Sequence, residues 1–546
     1  MNVKNENKID RRNFLGGTAA ALAGFTFFPQ QEAKGNSLPL QEAVLPVYNV
    51  TQHGIPGDGS TMNTRAFQEL IDLCSTNGGG TVFFPPGDFL TGAFRIKDNV
   101  NIYLSPGATI RGSTNKNDYG SYESLVYAED ARNISITGMG TINGNGVSFW
   151  AAYMRREVSF EEWRKNNWRP NRMFLFIRCN NLRLHDFTIE NSPSWTIHPI
   201  DCDRVTITGI SILNGIYEED GPNTDGINPD GCSRVVISDC FIQCGDDCIV
   251  LKITDRSKTK VCRDVVVTNC VLITTETALK IGTETHGDFK NITFSNCTIH
   301  DSGGGFGLIM RDGGTIDGVT VTNITIDSTK VKHGQGIFLW SHRRTDSTPW
   351  GHIRNVLISN ITMNTGGSIF VSGNRETYIE GVTLENFRIK LTGERKEKSH
   401  AEPEDPFFVF GHHTAPIDIF CRYVNDITLR NIKLSWGKAE NEKPGSAIRC
   451  RSVNDLEIDG FAGRQTLESG SPVISLKNVK DVFIHNCKAP EGSGSMLHAD
   501  ADTKGVTIIG NEFSKAQSLY AEGSAGTGFY EVANRLPGKV NGKSKK

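Results

Sequence analysis

Three successive segments of the chain read Val205-Thr206-Ile207-Thr208-Gly209, Val235-Val236-Ile237-Ser238-Asp239 and Val265-Val266-Val267-Thr268-Asn269. In each segment apolar side chains occupy every second position of the strand, which is the period of a β-strand with one buried face. The same short strand recurs at Ile292, Val319, Val356, Val382, Ile427, Leu456, Val482 and Val506, and earlier at Val100, Ile134 and Leu182. From Val205 onward the strand starts lie 24 to 45 residues apart. A strand repeated at such a period is typical of a solenoid.

A turn residue at a fixed place in each repeat narrows this solenoid to a parallel β-helix. Four residues after each strand start, from Ile134 onward, the chain has glycine, aspartate or asparagine. These residue types best tolerate a left-handed backbone, so every turn is expected to bend at the same point. The positions are Gly138, Asp186, Gly209, Asp239, Asn269, Asn296, Asn323, Asn360, Asn386, Asn431, Gly460, Asn486 and Gly510. The predicted fold is therefore all-β, a parallel β-helix.

The cysteines follow the same repeat. Eight of the 13 fall at two positions that the repeat turns inward, namely Cys179, Cys202, Cys232, Cys262, Cys240, Cys270, Cys297 and Cys487. Cysteine behaves there as a small buried apolar residue, which favours free thiols over a disulfide framework. Cys244 and Cys248 form a weak zinc signal, because no second pair or histidine cluster follows at ligand spacing. We predict no metal and no cofactor.

Charge and length exclude several classes of protein. The 546 residues carry 58 basic and 61 acidic side chains, a formal net charge of −3, so general nucleic-acid binding is not expected. Beyond the N-terminus no apolar run is long enough to cross a bilayer. Residues 1–36 join the pair Arg11-Arg12 to a small and apolar stretch, which resembles a twin-arginine export signal. An ordinary secretory signal is the alternative, and either predicts a periplasmic or extracellular protein.

A single β-helix domain is predicted over residues 45–535, with a short amphipathic helix at 63–75 that caps its N-terminal end. Insertions break the repeat near 148–171, 340–352 and 395–416. Loops on a rigid scaffold commonly carry binding function, although a charged insertion is as often only solvated. Trp150 and Trp340 lie in two of these insertions and are either platforms for sugar rings or buried structural residues.

Three aspartates give the strongest chemical signal. Asp225 is followed 21 residues later by the pair Asp246-Asp247. Because one turn of the solenoid separates them and parallel strands lie about 4.8 Å apart, the carboxylates are expected to stack. Gly245 would let the chain bulge so that both members of the pair face one side. Repulsion raises the pKa of at least one carboxyl in such a cluster, which suits glycoside hydrolysis by an acid and a carboxylate that activates water. A stack of turn residues or a calcium site is the alternative.

Three motifs stand in order along the chain: Ser192-Pro193-Ser194-Trp195-Thr196-Ile197-His198-Pro199, Pro222-Asn223-Thr224-Asp225-Gly226-Ile227 and Gly245-Asp246-Asp247-Cys248-Ile249. Together they resemble the polygalacturonases, family 28 of the glycoside hydrolases, and the similarity extends from about residue 57 to residue 328. The resemblance implies a right-handed parallel β-helix that hydrolyses α-linked galacturonic acid with inversion. It also implies that Asp246 is the general acid and that Asp225 and Asp247 activate the water.

The chain departs from that family at two places. Thr277 stands where the family has the histidine of a Gly-His-Gly motif, and the family's Arg-Ile-Lys motif is replaced near Leu308-Ile309-Met310-Arg311-Asp312. Lys280 and Arg311 are the candidates to supply the cationic partner that a galacturonate carboxylate needs. The predicted substrate-binding residues are Asn223, Lys280, Arg311, Thr277 and His198. His198, His286 and His412 are candidates to replace the missing histidine.

The sequence as a whole predicts an exported, inverting glycoside hydrolase. Its expected substrate is an acidic plant polysaccharide or oligosaccharide, of the polygalacturonan or rhamnogalacturonan type. A β-helix polysaccharide lyase or epimerase is one alternative, and a noncatalytic carbohydrate-binding β-helix is another. We expect a monomer with no nucleic-acid partner and no membrane span.

Overall fold

The predicted repeat is the structural unit of the protein, which is described by a computed structural model. Residues 46–538 are described, except 167, 216–220, 330–334, 393–417, 438–444, 468–469 and 525–528. The predicted export signal and the whole insertion near 395–416, which includes His412, lie outside the described residues. Parallel pairing between successive turns builds three long sheets, and the chain winds as a right-handed parallel β-helix.

Each turn contributes strands to up to three sheets. Sheet 1 contains Phe94–Arg95, Ser124–Glu129, Arg172–Ile177, Trp195–Ile200, Ile249–Ile253, Thr277–Thr285, Gly304–Met310, Gln335–Ser341, Gly367–Ser372, Ser495–Ala499 and Ser518–Tyr520. Sheet 2 contains Val47–Asn49, Gly80–Phe84, Val100–Leu104, Arg132–Gly138, Asn180–His185, Asp203–Thr208, Ser233–Ser238, Val261–Thr268, Asp288–Ser295, Lys504–Ile509 and Tyr530–Val532. Sheet 3 contains Gly87–Thr91, Ala108–Gly112, Thr141–Asn143, Thr188–Glu190, Ser211–Leu213, Phe241–Cys244, Val271–Thr274 and Thr298–Ile299. Six longer strands pass around corners between sheets: Thr315–Ser328, His352–Thr365, Ile379–Leu391, Ile419–Trp436, Ile448–Asp459 and Ile474–His485.

The register between turns confirms the sequence repeat. Val205 pairs with Leu182 on one side and with Val235 on the other, and the remaining predicted starts continue the same column to Val506. All 13 predicted turn residues have positive φ, from 48° to 109°. Amide side chains bond along this corner, and Asn360 Nδ2 donates to Asn323 Oδ1 at 3.1 Å. The corner is therefore held by both the backbone conformation and a side-chain ladder.

The core runs through the centre of the helix as stacked columns of apolar side chains. Because successive strand residues point to opposite faces, the alternating positions read from the sequence become one continuous buried interior. All 13 cysteines are buried free thiols, including the eight that the repeat places at inward positions. The Sγ atoms of Cys244 and Cys248 lie 3.8 Å apart in this interior.

Few helices accompany the strands. Within the described ranges they are the 3-10 turns Val50–His53 and Lys116–Tyr119 and the α-helices Thr64–Thr76, Val147–Met154 and Phe160–Asn166. The first α-helix lies where the sequence predicts one, and its Phe67 ring meets the Phe84 ring edge-on at 5.1 Å. Its role as a cap stays a prediction. None of the helices in the described part of the chain has the length and apolar character needed to cross a membrane.

Two of the predicted insertions are described. The first, near 148–171, forms the last two α-helices and a small apolar cluster of Phe149, Trp150 and Trp163. In the second, near 340–352, Trp340 still belongs to strand Gln335–Ser341. The irregular loop therefore begins at His342. Trp150 and Trp340 are each only 1% exposed, so of the two interpretations that the sequence left open, the structure supports buried structural residues and not platforms for sugar rings.

Candidate active site

The three predicted aspartates meet where successive turns enter sheet 1. Asp225 and Asp247 occupy equivalent positions on adjacent turns, and the N–H of Gly226 donates to the carbonyl of Asp247 at 2.9 Å. Asp246 precedes its neighbour in a bend of the backbone. One carboxylate oxygen from each of the three residues lies within 4.8 Å of the other two. The fold thus brings together the carboxylates that the sequence placed 21 and 22 residues apart.

The bend at Asp246 is fixed by small polar side chains. Thr224 Oγ1 accepts the N–H of Gly245 at 3.0 Å, and the carbonyl of Asp246 accepts the hydroxyl of Thr274 and the Cys244 thiol. The N–H of Asp247 donates to Asp246 Oδ1 at 2.8 Å. Two consecutive aspartates therefore reach the same cluster although regular strand geometry would send them to opposite faces.

Burial and mutual repulsion shift the acidity of this cluster. Burial, with the nearby charge of Asp247, raises the pKa of Asp225 to about 6 even though Lys252 and Lys280 act in the opposite direction. Burial and the charges of Asp225 and Asp247 raise the pKa of Asp246 well above its ordinary value. A carboxyl that keeps its proton thus lies beside one that ionises near pH 6, which is the division of roles that acid and base catalysis requires.

Lys280 is the closest cation to the cluster. Its Nζ lies 2.7 Å from Asp247 Oδ2, and the N–H of Thr277 approaches Asp247 Oδ1 at 3.3 Å. Although burial alone would lower the pKa of Lys280, the carboxylates of Asp247 and Asp246 raise it above its ordinary value. Both oxygens of Asp247 are therefore engaged. The spacing of the three aspartates would accommodate a cation, but the Lys280 ammonium already neutralises one of them.

A second cation, which the sequence analysis did not single out, faces Asp225. Lys252 Nζ lies 3.6 Å from Asp225 Oδ2 and 3.1 Å from Glu284 Oε2, and the residue is buried. The same ammonium lies 4.2 Å from the centre of the Trp195 ring. The Arg172 guanidinium lies 3.7 Å from the centre of that ring. The sequence feature that could have identified Lys252 is its position as the single lysine in the strand Ile249–Ile253, whose other residues are all apolar and buried.

One carboxylate oxygen of Asp225 is buried without a hydrogen-bond partner in the described part of the chain. Its Oδ2 accepts from Asn228 Nδ2 at 3.2 Å, whereas its Oδ1 is buried with no hydrogen-bond partner among the described residues. A buried carboxylate oxygen left unpaired costs free energy unless water or another donor reaches it. A donor that reached this oxygen would remove that cost.

His198 lies beside the cluster and is fully engaged by protein groups. Its Nδ1 accepts from Arg172 Nε at 2.8 Å, and its Nε2 lies 3.1 Å from Asp230 Oδ2. Burial lowers the pKa of His198 to about 4. Because the side chain is buried and both ring nitrogens are occupied, it is not placed to contact substrate, and we no longer assign it that role. His286 has its Nε2 3.9 Å from Oδ2 of Asp312, which is not one of the three clustered aspartates.

The other predicted substrate-binding residues divide into two places. Asn223 stands at the rim, where its Nδ2 lies 3.4 Å from Asp246 Oδ2 and its Oδ1 accepts from Arg169 at 3.1 Å. Arg311 lies two turns beyond the acidic pair. Its guanidinium is 5.4 Å from the centre of the Trp340 ring, and its charged neighbours are Arg344 and Asp312. Of the two predicted cations, Lys280 is therefore the one that the structure brings to the aspartates.

The insertion near 148–171 walls the rim at Asn223. A cavity of about 540 Å³ opens there between Phe160, Trp163, Arg169 and Asn223. The Arg169 guanidinium lies 4.7 Å from the Trp163 ring centre and donates to the carbonyls of Pro193 and Pro222, which ties the insertion to both neighbouring turns. One side of the cluster is thus bounded by aromatic and basic side chains.

Comparison with known proteins identifies the family of the chain. A sequence model of the glycosyl hydrolases family 28 matches residues 74–404. A probable polygalacturonase of Vitis vinifera is 31% identical over 225 residues, covering 37% of this chain and 44% of the relative. An exo-poly-alpha-D-galacturonosidase of Dickeya chrysanthemi is 39% identical over 124 residues, covering 19% and 20%. The chain thus spans less than half the length of these relatives.

Solved structures share the fold. The exopolygalacturonase of Thermotoga maritima has a TM-score of 0.53 at 24% identity, covering 63% of this chain and 87% of that one. At this identity the likeness concerns the β-helix alone. The family model, in contrast, matches more than half of the chain and includes all three aspartates. The chain therefore belongs to family 28 of the glycosyl hydrolases.

Proposed function

We propose that the protein is an exported hydrolase that cleaves α-galacturonosidic or related linkages in pectic polysaccharide with inversion. The observation that carries this proposal is the cluster itself: Asp246, whose pKa is raised, lies beside Asp225, which has an unpaired oxygen and a pKa of about 6. These are the two protonation states that glycoside hydrolysis requires at one place.

The reaction follows from those states. Asp246 gives its proton to the glycosidic oxygen as the bond from that oxygen to the anomeric carbon breaks and its electron pair stays with the leaving sugar. A water held by Asp225 and Asp247 attacks the anomeric carbon from the opposite side, and one of these carboxylates takes its proton. Lys280 and Lys252 keep the cluster from accumulating three negative charges. Exchange of protons with solvent then restores Asp246.

The short distances between the three carboxyl groups bear on the stereochemistry of the reaction. Inverting enzymes commonly separate their two carboxyl groups by about 6.5–9.5 Å, and retaining enzymes by about 5–5.5 Å. Here one oxygen from each carboxyl group lies within 4.8 Å of the other two, a nearest-atom distance that does not by itself select either outcome. We propose inversion, as the family resemblance implies, with the unpaired oxygen of Asp225 as the one left to hold the attacking water, because the Lys280 ammonium and the Thr277 N–H occupy both oxygens of Asp247.

The substrate class follows from the cations at the cluster. Lys280, Lys252 and Arg172 surround the aspartates with positive charge, which suits a sugar that carries a carboxylate. The net negative charge of the chain makes such a local field necessary for an acidic polymer to approach. Polygalacturonan and rhamnogalacturonan both meet this requirement. Export and a monomeric state are part of the proposal.

Product analysis tests the proposal. Wild-type protein and Asp246→Asn would be incubated with polygalacturonan, rhamnogalacturonan and their oligosaccharides, and products would be identified by mass spectrometry. Asp239→Asn is the matched control, because Asp239 lies on a corner of the same helix and is not part of the cluster. We expect products that have gained one water in wild type and in the control, and none in Asp246→Asn.

Two further measurements distinguish inversion from retention and hydrolysis from elimination. Proton NMR of the first products gives the anomeric configuration, and products that keep the configuration of the substrate would replace inversion by a nucleophilic aspartate. Unsaturated products that absorb in the ultraviolet would instead establish a lyase. Equal turnover by Asp246→Asn and wild type would overturn the assignment of the general acid.

A further inference from the structure

Arg172 lies beside the aspartate cluster and forms no ion pair within the described part of the chain. It begins its strand of sheet 1 and pairs with Trp195 on the next turn. The N–H of Thr196 then donates to the carbonyl of Asp225 at 2.8 Å, so Trp195 and Asp225 are on adjacent turns. Arg172 is therefore two turns from Asp225, or about 10 Å along the helix. The charge of Asp225 acts on its guanidinium.

The two lysines at the cluster are already paired with protein carboxylates. Lys280 Nζ lies 2.7 Å from Asp247 Oδ2, and Lys252 Nζ lies 3.6 Å from Asp225 Oδ2. A sugar carboxylate would have to displace one of these contacts to bind either ammonium group. Arg172 is a neighbouring cation for which no such exchange is needed.

A neutral side chain orients the Arg172 guanidinium. Arg172 Nε donates to His198 Nδ1 at 2.8 Å, so the proton of His198 is on Nε2, which donates to Asp230 Oδ2 at 3.1 Å. Asp230 also accepts the hydroxyl of Thr254 at 2.6 Å and its N–H at 2.9 Å, which fixes the carboxylate. Burial lowers the pKa of His198 to about 4, so the ring is uncharged at neutral pH. The guanidinium is thus oriented by a group that does not neutralise it.

Part of the hydrogen-bonding capacity of Arg172 is left for a ligand. A guanidinium has five N–H groups, and Arg172 donates one from Nε to His198 and one from Nη1 to the carbonyl of Asn171. Its Nη2 donates to no described residue, and it is not among the buried polar atoms that lack a partner, so it is accessible to solvent. The Trp195 ring, whose centre is 3.7 Å from the guanidinium, limits its rotation. A planar group held in this way matches a carboxylate.

Space for a sugar adjoins this guanidinium. The cavity of about 540 Å³ at the rim has Asn171, the residue before Arg172, in its lining. The lining continues to Asn223, whose Nδ2 lies 3.4 Å from Asp246 Oδ2. Cavities of roughly 300–1,000 Å³ with aromatic walls and a few polar groups are typical of small-ligand sites, and Trp163 supplies such a wall here.

We propose that Arg172 determines specificity by binding the carboxylate of the uronate sugar on the N-terminal side of the aspartates, and that His198 is the residue that positions it. The choice of a uronate rests on the proposed function, whereas the orientation of the guanidinium is independent of it. Arg172 thereby supplies a cationic partner for the substrate in a chain that departs from the family's Arg-Ile-Lys motif.

Binding of an acid and of its methyl ester tests this role without requiring turnover, because esterification removes the negative charge and leaves the sugar ring. In an Asp246→Asn background, calorimetry would measure trigalacturonate and its methyl ester with and without Arg172→Gln. Loss of a charge-assisted contact is expected to raise the Kd for the acid about tenfold or more and to leave that for the ester nearly unchanged. Arg183→Gln is the matched control, because Arg183 is exposed on sheet 2 of the same turn. It should change neither Kd.

Conservative variants separate binding from a merely structural role. Arg172→Lys keeps the charge without the planar fork, so its Kd for the acid should fall between those of wild type and Arg172→Gln. His198→Asn keeps an acceptor near the place of Nδ1 and should weaken acid binding less than His198→Leu. Both His198 variants should leave ester binding nearly unchanged. A loss in His198→Leu that is equal for acid and ester would refute its positioning role.

Three outcomes would overturn the assignment of Arg172: no binding of trigalacturonate by the Asp246→Asn protein, an unchanged Kd in Arg172→Gln, or an equal loss for acid and ester. Its failure is distinguishable from failure of the proposed function. If Arg172→Gln loses the acid selectively but wild type hydrolyses no pectic substrate, the proposed function fails and Arg172 keeps its role. If wild type hydrolyses polygalacturonan while Arg172→Gln loses acid and ester alike, the function stands and this role fails.

Discussion

Replacing Lys252 by methionine tests whether Asp225 is the base of the cluster. Methionine keeps much of the length and the apolar stem of lysine but removes its charge 3.6 Å from Asp225 Oδ2. At an effective dielectric constant of about 20, two unit charges at this distance interact by about 4.6 kcal/mol, or about three pH units. Lys252 divides its charge between Asp225 and Glu284, so we expect an increase in the pKa of Asp225 of about one to two units.

The pH dependence of kcat/KM is the readout. The proposed reaction needs Asp225 ionised and Asp246 protonated, which predicts a bell-shaped profile whose acid limb reports the ionisation of Asp225 within the coupled cluster. In wild type that limb is expected near pH 6. In Lys252→Met it should move to higher pH by about one to two units, whatever happens to the maximal rate.

Stability gives a second readout with a definite sign. The folded-state pKa of Asp225 lies above its ordinary value, so protonation of Asp225 favours the folded state. This contribution is present below about pH 4 and is lost as the pH rises through about 6. The stability lost in Lys252→Met should therefore be smaller in acid than at neutral pH in urea unfolding. Lys260→Met is the control, since Lys260 pairs with Asp201 away from the aspartates. An acid limb that stays in place in Lys252→Met would refute the assignment of Asp225.

Three further predictions concern the cluster and the fold. Asp247→Asn leaves the buried Lys280 without its carboxylate, and we expect about 3 kcal/mol lower stability by urea unfolding, whereas Asp246→Asn should leave stability nearly unchanged; equal losses would contradict the pairing. Asn360→Ala removes an amide from the corner ladder at a φ of 57° and should lower the free energy of unfolding by about 1–2 kcal/mol. Asn360→Gly should lower it less, because glycine keeps the backbone conformation; a decrease as large as that of alanine would show that the backbone conformation is not limiting. Thiol titration in denaturant should find all 13 cysteines free, and reductant should leave the Tm unchanged; a Tm that falls with reductant would reveal a disulfide.

The sequence predicts the fold closely because a β-helix repeats one local rule. An apolar column and a residue with positive φ recur in every turn, so pairing Val205 with Val235 fixes the register of the whole sheet. A one-residue slip would turn the apolar column outward and place at the bend a residue that tolerates positive φ less well, such as Thr208 or Ile210. The insertions follow no such rule. Their bounds shift by a residue or more, as the position of Trp340 inside a strand shows.

The sequence predicts only part of the candidate site, for a related reason. Asp225, Asp246 and Asp247 are close in sequence and lie one turn apart, so the repeat alone predicts that they meet. Lys252 and Arg172 reach the cluster from other positions on their turns, and neither belongs to a motif that the sequence analysis used. His198 shows the opposite case, since it lies in a quoted motif but the fold turns both of its ring nitrogens toward protein groups.

The repeat also explains why the cluster needs its lysines. A parallel β-helix places equivalent residues of adjacent turns about 4.8 Å apart, so a polar position either forms a ladder of neutral amides or brings like charges together. Along the corner the chain uses asparagines, whose amides bond to one another from turn to turn. At the entrance to sheet 1 it has aspartates on adjacent turns, and an amide ladder cannot form there. Lys280 and Lys252 each contact one of the two stacked carboxylates, while Asp246 keeps its proton instead of gaining a cation of its own. The fold thus forces three acids together and supplies two cations, and the acid left over is the one that can donate a proton.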